Sequence, residues 1–220
     1  HPQKAGQRAQ RIRLAGFQVH FLFQAGVHAD KLAHFVVAAH IDEFQFMDAA
    51  TAEGVPNSDA SFGQNYPEDV RLRRKAENKR TTYYTCCTEA HPNTFTFSDP
   101  AEAAWMSFYS AQKHLNGYLR WAYNSWPLEP LLDSRFRSWA GGDTYLVYPG
   151  ARSCIRFERL IEGIQAHEKI NILRQEFEKK GNKAGLKKIE KMLAPFNLGS
   201  MPEIPAAITV NRANQILNSF

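Results

Sequence analysis

The chain has 220 residues, of which 44% are hydrophobic and 12% aromatic, and its formal net charge is +5 at pH 7. This composition is too apolar for a disordered protein, and it provides enough material for a hydrophobic core. No apolar run is long enough to cross a bilayer. The excess positive charge lies mostly at 71–80 and 179–191 rather than along one continuous surface, so we expect no nucleic-acid partner.

Strands and helices alternate along the first half of the chain. In chain order, the pattern predicts a strand at 11–16, a helix at 30–39, a strand at 43–47, a helix from about 65 to 80, a strand at 81–86, a helix at 99–115 and a strand at 118–123. Segment 49–65 is rich in small and polar residues and is expected to be a loop. Asp99, Pro100 and Glu102 form the start signature of the helix at 99–115. Repeated strand and helix with short connections predict an α/β fold with parallel strands.

The last third of the chain is predicted to be mainly helical. A short strand is expected at 144–148, followed by a long helix at 153–180 that Gly181 ends. A basic amphipathic helix at 186–193 and a further helix at 210–217 complete the order. The basic run at 179–191 is interpreted as the solvated face of a terminal helix, with contact to nucleic acid or to an acidic surface as the alternative.

Aromatic and small polar residues gather where two predicted strands end. Five residues there are predicted to bind substrate: Tyr84, Trp121, Tyr123, Asn124 and Trp126. Flat rings can stack on the apolar face of a sugar, while amide and hydroxyl groups bind its polar edge. The alternative is ordinary packing, since aromatic residues are common in strands.

Other residues that could serve in catalysis or metal binding are less informative. Asp42 and Glu43 lie at the start of a predicted strand, whereas the catalytic residues of a parallel barrel lie at the carboxyl ends of its strands. The pair is therefore interpreted as structural rather than catalytic. Asp143, in a glycine loop, is expected to reach the site or to order that loop. The three cysteines, two of them adjacent, are interpreted as inert thiols rather than as a disulfide framework or as nucleophiles served by His91. Phosphate-loop, nucleophile-elbow and zinc motifs are absent, so no cofactor and no metal are predicted.

Several motifs in a fixed order resemble glycoside hydrolase family 123. They are Tyr-Tyr-Thr-Cys-Cys at 83–87, Pro-Asn-Thr-Phe at 92–95, Gly-Tyr-Leu-Arg-Trp-Ala-Tyr-Asn-Ser-Trp at 117–126, the run at 142–150, and the run at 153–158 with Glu-Gly-Ile at 162–164. The resemblance implies a (β/α) barrel that removes terminal β-linked N-acetylgalactosamine. It also implies a substrate-assisted retaining mechanism, in which the acetamido oxygen of the sugar attacks, an Asp orients it and a neighbouring Glu is the acid and base. Ala166 and His167 depart from the acidic residue and Tyr of the relatives, which affects packing rather than chemistry.

The resemblance also predicts which part of the barrel this chain supplies. The Asp-Glu pair of the family ends the barrel strand before the one that matches 11–16, so we expect no catalytic residue within the chain. We interpret the start at His1 as a cut. Residues 1–150 are then the C-terminal half of a (β/α)8 TIM-type barrel, and 151–220 are a helical extension packed on it. The 220 residues alone are expected to be inactive.

Three functions follow as hypotheses. The first is a fragment of a family 123-like hexosaminidase, the second a carbohydrate-binding remnant without the acids, and the third a basic helical interaction module whose aromatic residues are core. The expected partner is a carbohydrate substrate, with no membrane span. The oligomeric state and location are open, and the resemblance implies a secreted or periplasmic protein.

Overall fold

The computed structural model describes residues 68–85, 87, 89–120, 123–135, 139–201 and 203–220, together with the backbone of four earlier strands. These strands are β1 (Arg11–Leu14), β2 (Phe17–His20), β3 (Phe44–Phe46) and β4 (Asp59–Phe62). Two further strands follow, β5 (Thr81–Thr85) and β6 (Tyr118–Arg120). The predicted helix at 30–39, Asp42, Glu43 and Trp121 lie outside the described residues.

A parallel sheet organises the described part of the molecule. Its strand order is β3-β4-β5-β6, so each strand lies beside the next one in sequence. Parallel neighbours need a crossover connection, and helices α1 (Glu68–Ala76) and α2 (Ala101–Gln112) occupy the two crossovers that flank β5. The carboxyl ends of β5 and β6 are level, because Thr85 pairs with Arg120.

Three more helices complete the described structure. They are α3 (Ile155–Lys179), α4 (Lys183–Leu193) and α5 (Ala206–Leu217), with a 3₁₀ turn at Leu198–Ser200. Gly181 takes a positive φ of 62° after α3, a conformation that glycine adopts without strain. The side chain of Asn182 then accepts the N–H of Gly185 at 2.9 Å and caps α4. Within the described residues, no helix has the length and apolar character that a membrane span requires.

The hydrophobic core lies around α2. Every residue of this helix from Ala101 to Ala111 is buried, because β5 and β6 contact it on one side while α3, α4 and α5 pack around the rest. Phe108 stacks on Phe196 with ring centroids 4.7 Å apart, and Tyr83 of β5 contacts Tyr109 edge-on at 4.9 Å. These contacts join the sheet and the C-terminal helices in one core cluster.

The structure confirms the mixed α/β class, the helices predicted within the described residues, and the strands predicted at 43–47, 81–86 and 118–123. Three other strand or loop predictions are corrected. β1 is not part of the parallel series; it pairs antiparallel with β2 across the two-residue connection 15–16. β4 lies within the predicted loop 49–65, and its Asp-Ala-Ser-Phe sequence has little strand propensity of its own. It forms because β3 and β5 pair with it on both sides.

The third correction concerns the strand predicted at 144–148. This segment makes only isolated bridges within the described chain, Asn124 with Tyr145 and Tyr148 with Arg152. The N–H groups of Leu146 and Val147 both donate to the single carbonyl of Tyr123 instead of forming a ladder with a neighbouring strand. The segment is therefore a loop. Its apolar character reflects burial, since Tyr145 and Leu146 are fully covered.

Candidate functional site

The loops after β5 and β6 gather at the carboxyl edge of the parallel sheet. Segments 87–100 and 123–154 follow these strands, and they contain most of the residues that the sequence singles out. Ligands of parallel α/β proteins bind at this edge, where loops can vary while the strands hold them in place.

A buried ion pair ties these loops to β6. Arg120 at the end of the strand donates from Nη2 to Oδ1 of Asp143 at 3.0 Å and to the Asp143 carbonyl at 2.9 Å. Its other terminal nitrogen donates to Oδ1 of Asn93 at 2.8 Å. The side chains of Arg120 and Asp143 are only 2% and 0% exposed. Asp143 therefore orders the loop, which is one of the two roles expected for it.

Arg156, in the first turn of α3, binds the same loops through hydrogen bonds to their carbonyl groups. Its Nη1 donates to the carbonyls of Thr94, Gly142 and Tyr145. The guanidinium also lies over the ring of Tyr145, 5.5 Å from its centroid. Gly142 has a φ of 76°, and a Cβ there would lie 2.7 Å from the Arg156 nitrogen, so this position requires glycine.

Three of the predicted substrate-binding residues lie close together on the loop after β6. Trp126 is 37% exposed, and its indole N–H donates to the carbonyl of Val147 at 2.7 Å, so the plane of the ring is held. Asn124 is half-buried, and its Oδ1 has no hydrogen-bond donor among the described residues. Tyr123 packs edge-on against Phe157 at 5.8 Å, and burial raises the pKa of its hydroxyl.

Tyr84 lies on the face of β5 opposite to that of Tyr83. Tyr83 is fully buried toward α2, whereas Tyr84 is half-buried. Thr85 also faces α2, where its hydroxyl is 2.6 Å from that of Tyr118, whose pKa burial raises. Arg120 follows Tyr118 by two residues along β6, so their side chains lie on the same face of the sheet.

His91 and Glu102 form a second polar group at this edge. Glu102 is buried in the first turn of α2; its Oε1 lies 2.8 Å from His91 Nδ1 and its Oε2 accepts the N–H of Asn93 at 2.7 Å. The side chain of Asp99 accepts the N–H of Ala101 at 2.9 Å, as expected of a cap. The carboxylate of Glu102 binds the preceding loop instead of closing a capping box.

Sequence reasoning assigned no role to Arg156 or to the pair of His91 and Glu102. Arg156 lies in the 153–158 motif that carries the family resemblance, and Glu102 was interpreted as part of a helix start. Both residues were therefore noticed in the sequence, but neither was predicted to hold the loops of the site. The disfavoured alternative of a cysteine nucleophile served by His91 gains no support, since His91 pairs with a carboxylate and the Cys154 thiol donates to the carbonyl of Leu146 at 3.0 Å. Among the described residues, no three His, Cys, Asp or Glu side chains cluster to hold a metal ion.

The parallel sheet, its helical crossovers and the polar loops at its carboxyl edge define an α/β protein with a site at the strand ends. Residues 24–173 match the family model described as the glycoside hydrolase 123, catalytic domain. This match covers more than half of the 220 residues, and the chain belongs to that family. The resemblance identified from the motifs is thereby confirmed.

A solved structure adds a second comparison. The chain is similar to a family 123 glycoside hydrolase from Clostridium perfringens, whose structural analysis addressed the details of glycolipid glycan hydrolysis. The TM-score is 0.60 and the sequence identity 25%, over 80% of this chain and 34% of that chain. The chain thus spans about a third of the length of that relative. No curated protein matches.

Proposed function

We propose that this chain is part of a glycoside hydrolase that removes a terminal β-linked N-acetylhexosamine, with N-acetylgalactosamine as the first candidate. The observation that carries the proposal is the family match over residues 24–173. The relative from Clostridium perfringens supports the glycan of a glycolipid as a candidate substrate, because the structural analysis of that enzyme addressed glycolipid glycan hydrolysis.

The proposed mechanism is substrate-assisted and retaining. The acetamido oxygen of the sugar attacks the anomeric carbon, an Asp orients that group, and a neighbouring Glu protonates the leaving oxygen and later activates water. We place this Asp-Glu pair in polypeptide that precedes His1. Residues 1–150 then complete the C-terminal half of a (β/α)8 barrel, and the helices in 151–220 pack on it.

The residues at the carboxyl edge supply the substrate platform in this proposal. Trp126 is partly exposed with its ring held by Val147, which suits stacking on the apolar face of a pyranose. Tyr84, Trp121, Tyr123 and Asn124 are proposed to complete the platform. A held ring loses little rotamer freedom on binding, so stacking there costs less entropy than on a mobile side chain.

Trp126→Ala tests the platform. We expect about two- to tenfold weaker binding of N-acetylgalactosamine, because one aromatic stacking contact is worth about 0.5–1.5 kcal/mol. Isothermal titration calorimetry of the 220-residue chain measures the dissociation constant. Phe220→Ala is the matched control, since Phe220 is as exposed as Trp126 (38% against 37%) but packs against α3 and α4 through Phe177 and Lys188. Equal affinity of the Trp126 variant and the unmodified chain would contradict the platform.

Turnover tests the activity itself. The protein encoded with the polypeptide upstream of His1 is expected to hydrolyse a chromogenic β-N-acetylgalactosaminide, whereas the 220-residue chain binds the sugar without turnover. Hydrolysis by the 220-residue chain would show that the acids lie within it and would overturn their placement. Binding without hydrolysis by the longer protein would instead support a carbohydrate-binding remnant.

A further inference from the structure

Large apolar side chains project from two loops at the carboxyl edge. Their exposed fractions are 96% for Leu128, 86% for Leu132, 72% for Phe97 and 60% for Leu131. Single exposed apolar residues are ordinary on a protein surface, but four of them on two neighbouring loops are unusual. These four residues are called the apolar tip below.

The two loops of the apolar tip touch each other, and their backbones are ordered. The hydroxyl oxygens of Thr96 and Ser134 lie 3.4 Å apart, which joins the loop of Phe97 to that of the leucines. The N–H of Leu132 donates to the carbonyl of Glu129 at 2.9 Å and closes a turn there. The exposed side chains are therefore presented by a defined backbone.

The apolar tip is continuous with the candidate substrate platform. Trp126 precedes Leu128 by two residues, and its indole N–H is held by the carbonyl of Val147. The hydroxyl of Tyr145 donates to the carbonyl of Pro130 at 3.4 Å, so the loop of the leucines is also tied to segment 144–148. Whatever is attached to a sugar that binds at Trp126 thus comes close to the apolar tip.

The exposure and the charge of the apolar tip indicate which kind of partner it fits. The walls of a groove would cover part of each apolar side chain, whereas a leucine that is almost fully exposed projects beyond its neighbours. Segment 92–98 contains no charged residue, and segment 126–135 contains two acidic residues and one basic residue. Asp133 and Arg135 in that segment pair with each other. Projecting apolar side chains without excess positive charge suit a soft, apolar and uncharged phase such as a lipid layer.

The basic residues of the chain lie elsewhere. The exposed lysines of α4 are Lys183, Lys187, Lys188 and Lys191. Arg174 donates both to Glu190 of α4 and to the carbonyl of Ala111 near the end of α2, which precedes the amino end of β6. Attraction to an anionic lipid surface would therefore use a region away from the carboxyl edge, and a neutral lipid surface distinguishes the two.

We propose that the apolar tip contacts the surface of a lipid layer that carries the glycan as a glycolipid, and so brings the platform to its substrate. The proposal rests on the function proposed above and deepens it, because it assigns a surface to the lipid part of the substrate. The sugars of a glycolipid stand directly above the apolar chains of the layer. Leucine and phenylalanine side chains beside the site gain free energy when they leave water for that layer.

A double change, Leu128→Ser with Leu132→Ser, tests the apolar tip. Both side chains are almost fully exposed, so we expect the fold to be kept, and thermal melts check this. Ile172→Ser is the matched control: Ile172 is an exposed apolar residue of α3, about 25 Å along the helix from its first residue at the carboxyl edge.

The measurement is the partition of the 220-residue chain onto vesicles of pure phosphatidylcholine, by co-sedimentation at low and at high salt. We expect the unmodified chain to bind at both salt concentrations, because the contact is apolar. The double variant should bind at least about tenfold more weakly, and Ile172→Ser should stay within about twofold of the unmodified chain.

Absence of binding by the unmodified chain, or equal binding by the double variant, would overturn the proposal. If the unmodified chain stays in solution beside the vesicles as a dimer that the double variant does not form, the apolar tip is an interface between copies and the proposal also falls. Sedimentation velocity measures this.

Titration with free N-acetylgalactosamine separates the apolar tip from the proposed function, because the free sugar carries no lipid. The double variant should bind it as the unmodified chain does. Vesicle binding without sugar binding would support the apolar tip and contradict the platform, whereas sugar binding without vesicle binding would support the platform and overturn the apolar tip.

Discussion

The buried pair of Arg120 and Asp143 is the residue-scale feature on which the loops at the carboxyl edge depend. Removing two charges from water is costly, and their attraction offsets that cost only with good geometry and further hydrogen bonds. Arg120 meets both conditions, since it also donates to the carbonyl of Asp143 and to Asn93. The pair is consequently more sensitive to the loss of one partner than to replacement of both.

Asp143→Asn is expected to destabilise the fold by about 3–5 kcal/mol, because it leaves the Arg120 charge buried without its counter-ion. Urea unfolding measures the free energy. The matched control is Asp133→Asn, in which the partner Arg135 is exposed and the pair is open to solvent; no measurable change is expected there. A double change of Arg120→Met with Asp143→Asn should cost less than the sum of the single changes. Equal unfolding free energies for Asp143→Asn and the unmodified chain would contradict the role of the pair.

At the scale of elements, α2 and α3 pack directly against each other at Gly163. Gly163 of α3 faces Ala104 of α2, and a Cβ added at Gly163 would lie 2.8 Å from both the Cα and the carbonyl oxygen of Ala104. Backbone atoms cannot move aside as the end of a flexible side chain can. The glycine of the Glu-Gly-Ile motif thus sets the distance between the helices that form the core.

Gly163→Ala should lower the free energy of unfolding by about 1–3 kcal/mol, although alanine has the higher helix propensity, because the added methyl group forces α2 and α3 apart. Thermal or urea unfolding gives the value. Gln165→Ala, at an exposed position of the same helix, is the control and should stay within about 0.5 kcal/mol. A Gly163 variant as stable as the control variant would show that the helices can separate without cost.

At the scale of the whole molecule, His167 couples stability to pH. It is 1% exposed, accepts from the side chain of Asn171 at Nδ1 and lies 3.2 Å from the carbonyl of Leu115 at Nε2. Burial lowers its pKa to about 4 from the ordinary 6.5. His167 therefore lies in the core between α3 and the end of α2.

Because the folded-state pKa of His167 is depressed, its contribution to stability is present above pH 6.5 and is lost as the pH falls toward about 4, where the folded protein also takes up the proton. Unfolding should cost about 2 kcal/mol less at about pH 5 than at about pH 7.5 through this group alone. Urea unfolding at both pH values measures the difference. His167→Gln should remove most of that difference, and equal pH dependence in the two proteins would rule out His167 as its source.

The local sequence predicted the helices within the described residues and three strands of the sheet well, β3, β5 and β6. Apolar residues at helical spacing, Asp99 before α2 and Gly181 after α3 are signals that a short window contains. β5 and β6 were recognised for the same reason, since their residues favour extended structure without help from distant partners. The aromatic residues of the candidate platform were also visible in sequence, because they sit next to these strands.

Contacts between distant residues decided the rest. β4 exists because β3 and β5 pair with it. Segment 144–148 is a loop because Leu146 and Val147 donate their N–H groups to the single carbonyl of Tyr123 instead of to a neighbouring strand. Arg120 meets Asp143 across 23 residues, Arg156 meets Thr94 across 62, and Glu102 turns to His91 rather than to its own helix start. Charge and hydrogen-bond partners of this kind are set by which loops the sheet brings to its carboxyl edge. Residue types and their spacing along the chain do not contain that information, and only the folded arrangement of β5, β6 and α3 supplies it.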